Sequence, residues 1–505
     1  MCKSVTRYAD IGLSVLVGIA VFLFWAVGYP HALSYQEQYQ LFLWTTDYFC
    51  ERVRVAGGLA DWLGEMVVQF YYVPWLGALL LALIFVAIYR LTLNLVTRGS
   101  GMLSPLSALL SLLSALLTPL LLWWLMGDVN LLLSFVVAVM LTLALCCIPL
   151  PRGWRWVDVV VVPVAYWLLG PVVWLYVVVR VCQVGWRHVW TAGCMAIMLW
   201  ATHVWLCPQW PWQQVLGGLT YYRTPMQLPQ LSGYDKDLYA LIRLDYLVRN
   251  ERWDDVIRYA EAHEVQTAFW SNCVNLALSQ KRQLAERQFD FYQSGDDALI
   301  MPRFRDQTSN LPSAEAFFRL GLVNSAQRYM FDIQESILNG RMSGRCTQRI
   351  VECMLVNGHY KPARKYLALL RKTLFYRHWA EEAEDLLDND AAVSRHPVYG
   401  RLRQLRFKND FLFNYPEKDK IFGLLFIDNH DNKMALDYFI GELLLRGDVQ
   451  GVMQAMSWAQ QYGGYRFMPV GYQDAMRTIQ SRGQAAGTKY GAYVQRMMSM
   501  KGGER

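Results

Sequence analysis

The pattern of hydrophobic and polar positions changes near Leu206 and divides the 505 residues into two parts. Before that point the chain consists of long apolar runs separated by short polar turns, and it holds eight acidic residues. Only two of these, Asp128 and Asp158, lie beyond Glu65. After that point the apolar residues recur at the short helical period, and most of the charge is found there. The pattern predicts an all-α chain in which a polytopic helical membrane bundle precedes a soluble α-helical domain.

Four apolar runs have about the 20 residues that a helix needs to cross a bilayer. They cover residues 11–29, 73–96, 102–126 and 129–150, and a last run ends at Leu206. The stretch 154–186 is either one span or two short helices that reverse at Gly170-Pro171, because proline lacks an amide donor and glycine relaxes the backbone. The totals are then six or seven spans. The positive-inside rule favours seven.

Seven spans place the N-terminus in the cytoplasm and residues 30–72 on the outer face. We expect a multi-pass protein of the bacterial inner membrane, with its C-terminal domain in the periplasm. The predicted domains are a membrane module over 1–206 with an outer loop at 30–72, a Trp/Pro/Gly-rich linker at 207–234, and a soluble helical-repeat domain over 235–505.

Composition and motifs argue against several classes of function and indicate no particular activity. The net charge of +7 comes without a basic stripe or a recognition-helix pattern, so nucleic acid is not an expected partner. The 20 Trp and 29 Tyr are typical of aromatic belts at the lipid interface, and the bilayer is the expected partner. No zinc motif, Walker loop or nucleophile elbow occurs. Transport is the least favoured function, because beyond Glu65 the spans contain no carboxylate except Asp158.

Paired amphipathic helices recur in the C-terminal part, each pair joined by a small or polar turn. The pairs are 238–248 with 256–262, 317–322 with 326–333, 350–356 with 363–370, and 438–445 with 452–459. This pattern resembles degenerate tetratricopeptide-like repeats, in which a small residue such as Ala363 lets two helices approach closely. The resemblance implies a groove that binds a protein partner.

The acidic residues of the membrane part collect in the loop 30–72. They are Glu37, Asp47, Glu51, Asp61 and Glu65. The spacing of Tyr35, Phe42 and Val53 predicts one amphipathic helix lying on the interface. A second helix follows Gly57-Gly58, with Asp61, Glu65 and Gln69 forming a polar stripe. These acids either carry chemistry or face water, as charges on a helix face usually do.

Seven spans, a long first outer loop with two acid-bearing helices and a soluble helical tail resemble the GT-C class of membrane glycosyltransferases. The resemblance implies a base or metal ligand in the first outer loop and a second acid in the next one. The matching positions are Glu37 in Gln36-Glu37-Gln38 and Asp128 in the Gly127-Asp128 turn, with Asp47 in reserve. An acceptor hydroxyl must lose its proton as the sugar leaves, which a carboxylate can accept, and a carboxylate pair can also hold a divalent metal ion.

The same resemblance implies a polyprenyl-phosphate-linked sugar as donor. Its phosphate needs cationic groups, for which Arg52, Arg54 and Arg223 are the candidates. The class usually carries Asp in the first loop, whereas this chain has a single Glu between two glutamines. The alternative is therefore a descendant without catalysis, a membrane-anchored scaffold that binds envelope or secretion partners through its repeats.

The whole chain also resembles an uncharacterised family of bacterial inner-membrane proteins, mainly from Bacteroidota. That likeness is carried by Gly57-Gly-Leu-Ala-Asp-Trp-Leu-Gly-Glu65, by Gln69-Phe-Tyr-Tyr-Val-Pro-Trp75, and by Phe375-Tyr376 with Trp379-Ala380. It implies no particular activity.

Overall fold

Helices form the whole of the regular structure in the computed structural model, which describes residues 2–99, 105–149, 156–221, 234–407, 413–465, 467–481 and 487–502. No strand occurs in these ranges, so the all-α prediction is confirmed for them. The chain forms two compact units. The first contains residues 1–236 together with 372–375, and the second contains residues 237–371 and 376–505.

The first unit contains eleven α-helices within the described ranges. They are α1 Cys2–Leu23, α2 Pro30–Glu37, α3 Thr46–Val53, α4 Gly58–Val68, α5 Pro74–Gly99, α6 Pro105–Leu125, α7 Leu133–Cys146, α8 Asp158–Leu169, α9 Trp174–Val184, α10 Trp190–Ala201 and α11 Trp212–Gly217. A π-helical turn extends α1 to Gly28 and another extends α10 to Leu206. In the interior of this unit α5 packs against α1, α6 and α7, and α7 packs against α4 and α9.

Four helical stretches are long and apolar enough to cross a membrane. They are Tyr8–Gly28, Pro74–Arg98, Asp158–Val184 and Trp186–Leu206, and the shorter apolar helices Leu109–Leu125 and Leu133–Cys146 accompany them. Much of their surface is apolar and faces outward, as at Leu117 and Ile197. A protein in water would bury such side chains, so this composition is that of a membrane protein.

The stretch Asp158–Val184 turns back on itself. A straight helix would separate Asp158 from Arg180 by about 33 Å, yet the Arg180 guanidinium donates two hydrogen bonds of 3.1 and 3.2 Å to the Asp158 carboxylate. The reversal lies at Gly170, whose φ of +76° suits glycine and few other residues. The predicted reversal at Gly170-Pro171 is therefore present, and α8 and α9 form a hairpin.

The tip of this hairpin contacts two segments, the loop 30–72 and the residues that follow the last apolar stretch. The indole of Trp167 donates to the carbonyl of Val53 at 3.1 Å, and the Trp167 carbonyl accepts from the amide of Gly57 at 2.9 Å. The hydroxyl of Tyr221 donates to the Leu169 carbonyl at 3.0 Å. The hairpin tip thus lies at the end of the unit that carries the loop 30–72, which we call the loop end.

Two expectations for the loop 30–72 are wrong. Residues 38–45 are not helical, so the single interfacial helix predicted through Tyr35, Phe42 and Val53 is two helices, α2 and α3. The Thr45 hydroxyl accepts from the amide of Tyr48 and restarts the helix after the break. The water-facing interpretation of the polar stripe also fails, because Asp61 is 1% and Glu65 0% exposed.

The second unit contains sixteen α-helices within the described ranges. They are α12 Lys236–Arg249, α13 Trp253–Ala262, α14 Ala268–Gln280, α15 Leu284–Arg287, α16 Leu311–Leu320, α17 Val323–Ser336, α18 Gly344–Asn357, α19 Tyr360–Leu370, α20 Arg377–Glu384, α21 Asp390–Arg395, α22 Pro397–Leu405, α23 Lys418–Asp428, α24 Lys433–Arg446, α25 Val449–Gln461, α26 Val470–Gln480 and α27 Lys489–Gly502. All four predicted helical pairs are present, as α12–α13, α16–α17, α18–α19 and α24–α25.

The same type of turn joins the helices of all four pairs, and it also joins α14 to α15. A left-handed residue ends the first helix, and the second helix begins two residues later. The left-handed residues are Glu251, Arg282, Gly321, Gly358 and Gly447. In each turn the next amide donates to the carbonyl five residues back, as from His359 to Met354 at 2.8 Å. This is the Schellman arrangement, which satisfies the last carbonyls of the first helix.

Candidate functional site

Helix α2 follows the first apolar stretch directly and is buried along its length. Pro30 occupies its first turn, where a missing amide hydrogen costs nothing. Every residue from His31 to Glu37 is buried, although most of these side chains are polar. Buried polar groups need hydrogen-bond partners, so a polar helix in this position indicates a specific local structure rather than a generic interfacial helix.

The structure brings the segments of the two principal acid candidates together. The side-chain amide of Gln36 donates to the carbonyls of Val129 and Leu131 at 3.1 and 3.2 Å. Gln36 precedes Glu37, which is 4% exposed. Val129 follows Asp128, a half-buried residue whose carboxylate accepts from the amide of Asn130 at 3.0 Å and so shapes its own turn.

The remaining predicted residues have different surroundings. Asp47 lies in the first turn of α3 and is exposed, and Arg54 after α3 is exposed as well. Arg223 lies outside the described residues, as does its neighbour Tyr222. Arg52 is half-buried and turns towards two carboxylates of α4.

Arg52 belongs to a buried charge cluster with Tyr48, Asp61 and Glu65, which we call the α3–α4 cluster. The Arg52 Nε lies 3.1 Å from a Glu65 oxygen, and an Nη lies 3.9 Å from Asp61. The Tyr48 hydroxyl donates to Glu65 and accepts from Arg52 at 3.0 Å. Residues four apart share one face of a helix, so each helix presents two of these groups to the other.

The α3–α4 cluster is fixed to the membrane helices through α7. The Ser134 hydroxyl donates to Asp61 at 2.8 Å. Gly64 lies between the two acids, and a Cβ there would stand 2.7 Å from the Cα of Ser134. Glycine thus permits a backbone approach that any larger residue would prevent.

The charges of the α3–α4 cluster hold each other in place. Burial alone would lower the pKa of the Arg52 guanidinium, but Glu65, Tyr48 and Asp61 outweigh burial and raise it above its ordinary range. Burial and the adjacent Glu65 carboxylate raise the pKa of Tyr48 far above 10, so its hydroxyl keeps its proton. Arg52 is therefore already paired with two buried carboxylates and would have to leave them to bind a substrate phosphate.

A divalent metal ion does not fit the acids that the structure describes. Within these residues no group of three or more His, Cys, Asp or Glu side chains converges. The buried acids Asp61 and Glu65 are already bound by Arg52, Tyr48 and Ser134. A cation would have to displace the guanidinium, so we derive no step through a metal.

A second buried ionic network, in the second unit, has no counterpart in the sequence-based expectations. Arg345 donates to both oxygens of Asp245 at 2.7 and 3.0 Å, and Arg349 donates to Glu315 at 2.8 Å. Burial raises the pKa of Glu315, but Arg349 and Arg345 outweigh it and lower the pKa to about 2. The spacing of Arg345 and Arg349 is the signal that could have indicated it.

Fold and cluster together define a class: all-helical proteins that join membrane-type helices to a separate unit of helical hairpins. The chain belongs to DUF6057, a family of unknown function whose model matches residues 5–501. No curated protein matches the chain. No solved structure matches it either.

Proposed function

We propose that the protein is a GT-C-like transferase of the bacterial cell envelope that moves a sugar from a polyprenyl-phosphate donor on the outer face of the inner membrane. The observation that carries this proposal is the pair of hydrogen bonds from Gln36 to Val129 and Leu131. They tie the segment of Glu37 to the segment of Asp128. The GT-C-like chemistry proposed here uses two acids from successive loops on one face of the membrane, one of them as the base.

In this proposal Glu37 accepts the proton of the acceptor hydroxyl. The acceptor oxygen forms its bond to the anomeric carbon, the bond from that carbon to the phosphate oxygen breaks, and polyprenyl phosphate leaves. Asp128 orients the acceptor from the neighbouring turn. The burial of α2 supports this role, because a site shielded from water limits hydrolysis of the donor. The exposed Arg54 is the available cation for the phosphate.

The orientation we propose has the N-terminus in the cytoplasm, seven spans, and the second unit in the periplasm. The hairpin of α8 and α9 supports an odd number of crossings. If both arms cross, the total is seven, and if the hairpin enters and leaves on one side, the total is five. In either case the N-terminus and residues after Leu206 lie on opposite sides. The contacts of Trp167 and Leu169 at the loop end favour full crossing.

Substitutions that keep the shape of each acid and remove its charge test the proposed catalysis. Glu37→Gln should reduce transfer from polyprenyl-phosphate-linked hexoses by at least about 100-fold, the usual range for losing a general base. Asp128→Asn should reduce it as well. Glu51→Gln is the matched control, since Glu51 lies on the same loop and is exposed. The assay measures polyprenyl phosphate released by the purified protein, beside the sugar content of the envelope in a deletion strain carrying each variant.

Full complementation of the deletion strain by folded Glu37→Gln and Asp128→Asn variants would exclude catalysis at these acids. Equal loss in the Glu51→Gln variant would show that the loop tolerates no substitution, and the assignment to Glu37 would fail. The two readouts are independent, because the envelope analysis does not require the donor to be guessed correctly.

A scaffold function is the second candidate, and the five Schellman turns that join successive helices, described above, support it. They join helices into hairpins in the manner of tetratricopeptide-like repeats, whose grooves bind protein segments. The second unit also exposes large apolar side chains, among them Met453 at 59% and Phe467 at 82%. If the protein is a scaffold, Phe467→Ser should abolish complementation while Glu37→Gln leaves it intact.

A further inference from the structure

A cleft of about 620 Å³ lies beside α9 and α10, at the opposite end of the hairpin from its tip. Three indoles line it, from Trp156, Trp186 and Trp190, together with Arg187 and His188. Trp156 is 65% and Trp186 79% exposed. Neither the α3–α4 cluster nor the proposed transfer chemistry uses this cleft.

The cleft carries a positive charge that has no ion-pair partner among the residues that the structure describes. Arg187 is exposed, and within the described residues it forms no ion pair and no hydrogen bond. Asp158 lies beside the cleft, but its carboxylate is fully buried and accepts from Tyr176 at 2.5 Å and from Arg180. His188 Nε2 lies 2.6 Å from the same carboxylate. The Asp158 carboxylate is thus already paired with Tyr176, Arg180 and His188. The positive charge of Arg187 in the cleft can therefore attract an anion.

The position of the cleft fixes the environment of that anion. Arg187 and His188 stand where the stretch Asp158–Val184 ends and the stretch Trp186–Leu206 begins. The stretch Trp186–Leu206 is long and apolar enough to cross a membrane and begins at this turn, so the turn lies at the level of the lipid headgroups. Tryptophan is enriched at that level, because its ring is apolar and its N–H is polar.

Indoles beside an unpaired guanidinium suit a molecule with an apolar body and an anionic phosphate. We propose that this cleft binds the phosphate headgroup of an anionic phospholipid. Arg187 contacts the phosphate, since the guanidinium donates two parallel hydrogen bonds to such oxygens. The three indoles pack on the glycerol and upper acyl chain. His188 is a positioning residue, held by Asp158 and packed edge-on against Trp190 with ring centroids 4.8 Å apart.

Binding of short-chain lipids to the full-length protein in detergent tests the proposal. The probes are dihexanoyl phosphatidylglycerol, dihexanoyl phosphatidylcholine and inorganic phosphate. Arg187→Gln should weaken binding of phosphatidylglycerol about tenfold, equivalent to about 1.4 kcal/mol, and should weaken binding of phosphatidylcholine less, because the choline cation of that lipid already offsets its phosphate charge. Arg187→Lys should fall between, because lysine keeps the charge and loses the bidentate geometry. Arg98→Gln is the matched control, since Arg98 also ends a membrane-type stretch and lies outside the cleft.

Three outcomes would overturn the proposal. Unchanged affinity of Arg187→Gln for phosphatidylglycerol would remove Arg187 from the site. An equal loss in Arg98→Gln would indicate general attraction to a negative surface rather than binding in the cleft. Inorganic phosphate binding as tightly as phosphatidylglycerol would assign the cleft to a soluble phosphate, because the indoles would then contribute nothing.

Discussion

Glu442 is fully buried in the second unit, between Lys418 at 3.2 Å and Arg446 at 2.8 Å. Burial raises the pKa of its carboxyl to about 7, although both cations lower it. The folded unit therefore holds this proton more tightly than the unfolded chain does. The corresponding stability is present below a pH of about 4.5 and is lost as the pH rises through about 7.

Glu442→Gln should remove this pH dependence from helices α23 and α24, because glutamine stays neutral. Hydrogen-exchange protection of these helices in the full chain, corrected for intrinsic rates, should fall between a pH of about 6.5 and about 8 in the wild type and stay level in the variant. That window avoids Asp437 on the same helix, where burial raises the pKa to about 6. A parallel fall in both proteins would contradict the role of Glu442.

Gly64 is a position in the loop 30–72 at which one added methyl group should disturb the packing of two helices. In Gly64→Ala the new Cβ would meet the backbone of Ser134 at 2.7 Å, so α4 and α7 would have to separate and Asp61 would lose its hydroxyl partner. We expect a loss of about 1–3 kcal/mol, the usual cost of overpacking, seen as a lower thermal midpoint in detergent. Gly193→Ala is the control, since nothing lies within 4 Å of its Cβ position. Equal midpoints for the two variants would refute the close contact.

At the scale of elements, the hairpin of α8 and α9 depends on one buried pair. Replacing Arg180 with Met would leave the Asp158 carboxylate buried with Tyr176 and His188 alone, and removing one partner of a buried pair typically costs about 3–5 kcal/mol. The double variant Asp158→Asn/Arg180→Met should recover most of that loss, because no charge remains. Thermal unfolding of the four proteins gives the coupling. Additive losses would mean that the pair does not hold the hairpin.

The sequence predicts the turns between helices wherever a single glycine or proline determines the backbone conformation. The reversal at Gly170-Pro171 and the turn at Gly358 were readable, because glycine and proline restrict or relax the backbone by themselves. The turns at Glu251 and Arg282 use the same left-handed geometry without glycine, so packing imposes a conformation that the residues do not favour. The break between α2 and α3 was missed, because apolar spacing cannot show that the polar residues between the aromatics are buried too.

The site was predicted less well than the elements. Gln36, which no spacing rule singled out, ties the segment of Glu37 to that of Asp128, and the roles of the two acids stay a prediction. The α3–α4 cluster was missed, since charge on a helix face is normally taken as exposed. Its burial follows from long-range packing on Ser134. Such packing leaves no mark in the local sequence.

At the scale of the whole molecule, the direction of the chain through the membrane assigns a compartment to the second unit. A reporter that becomes active only after forming disulfides, fused after Gly233, should be active, because we place that point in the periplasm. The same reporter fused after Arg98, on the proposed cytoplasmic side, should be inactive. The reverse pattern would contradict the proposed orientation. Equal activity at both points would contradict an odd number of crossings between them.

The buried pair of the hairpin also bears on how the protein is made. Asp158 is synthesised 22 residues before Arg180. Asp158 is the first residue of α8, and an unpaired charge near the end of an inserting helix costs less than the figure of about 2.5–3.5 kcal/mol found at its centre. The first arm alone would still carry an unmatched acid into the membrane, so we expect it to stay beside the translocation channel until Arg180 has emerged. The two arms would then leave the channel together, as one neutralised pair of helices rather than one helix at a time.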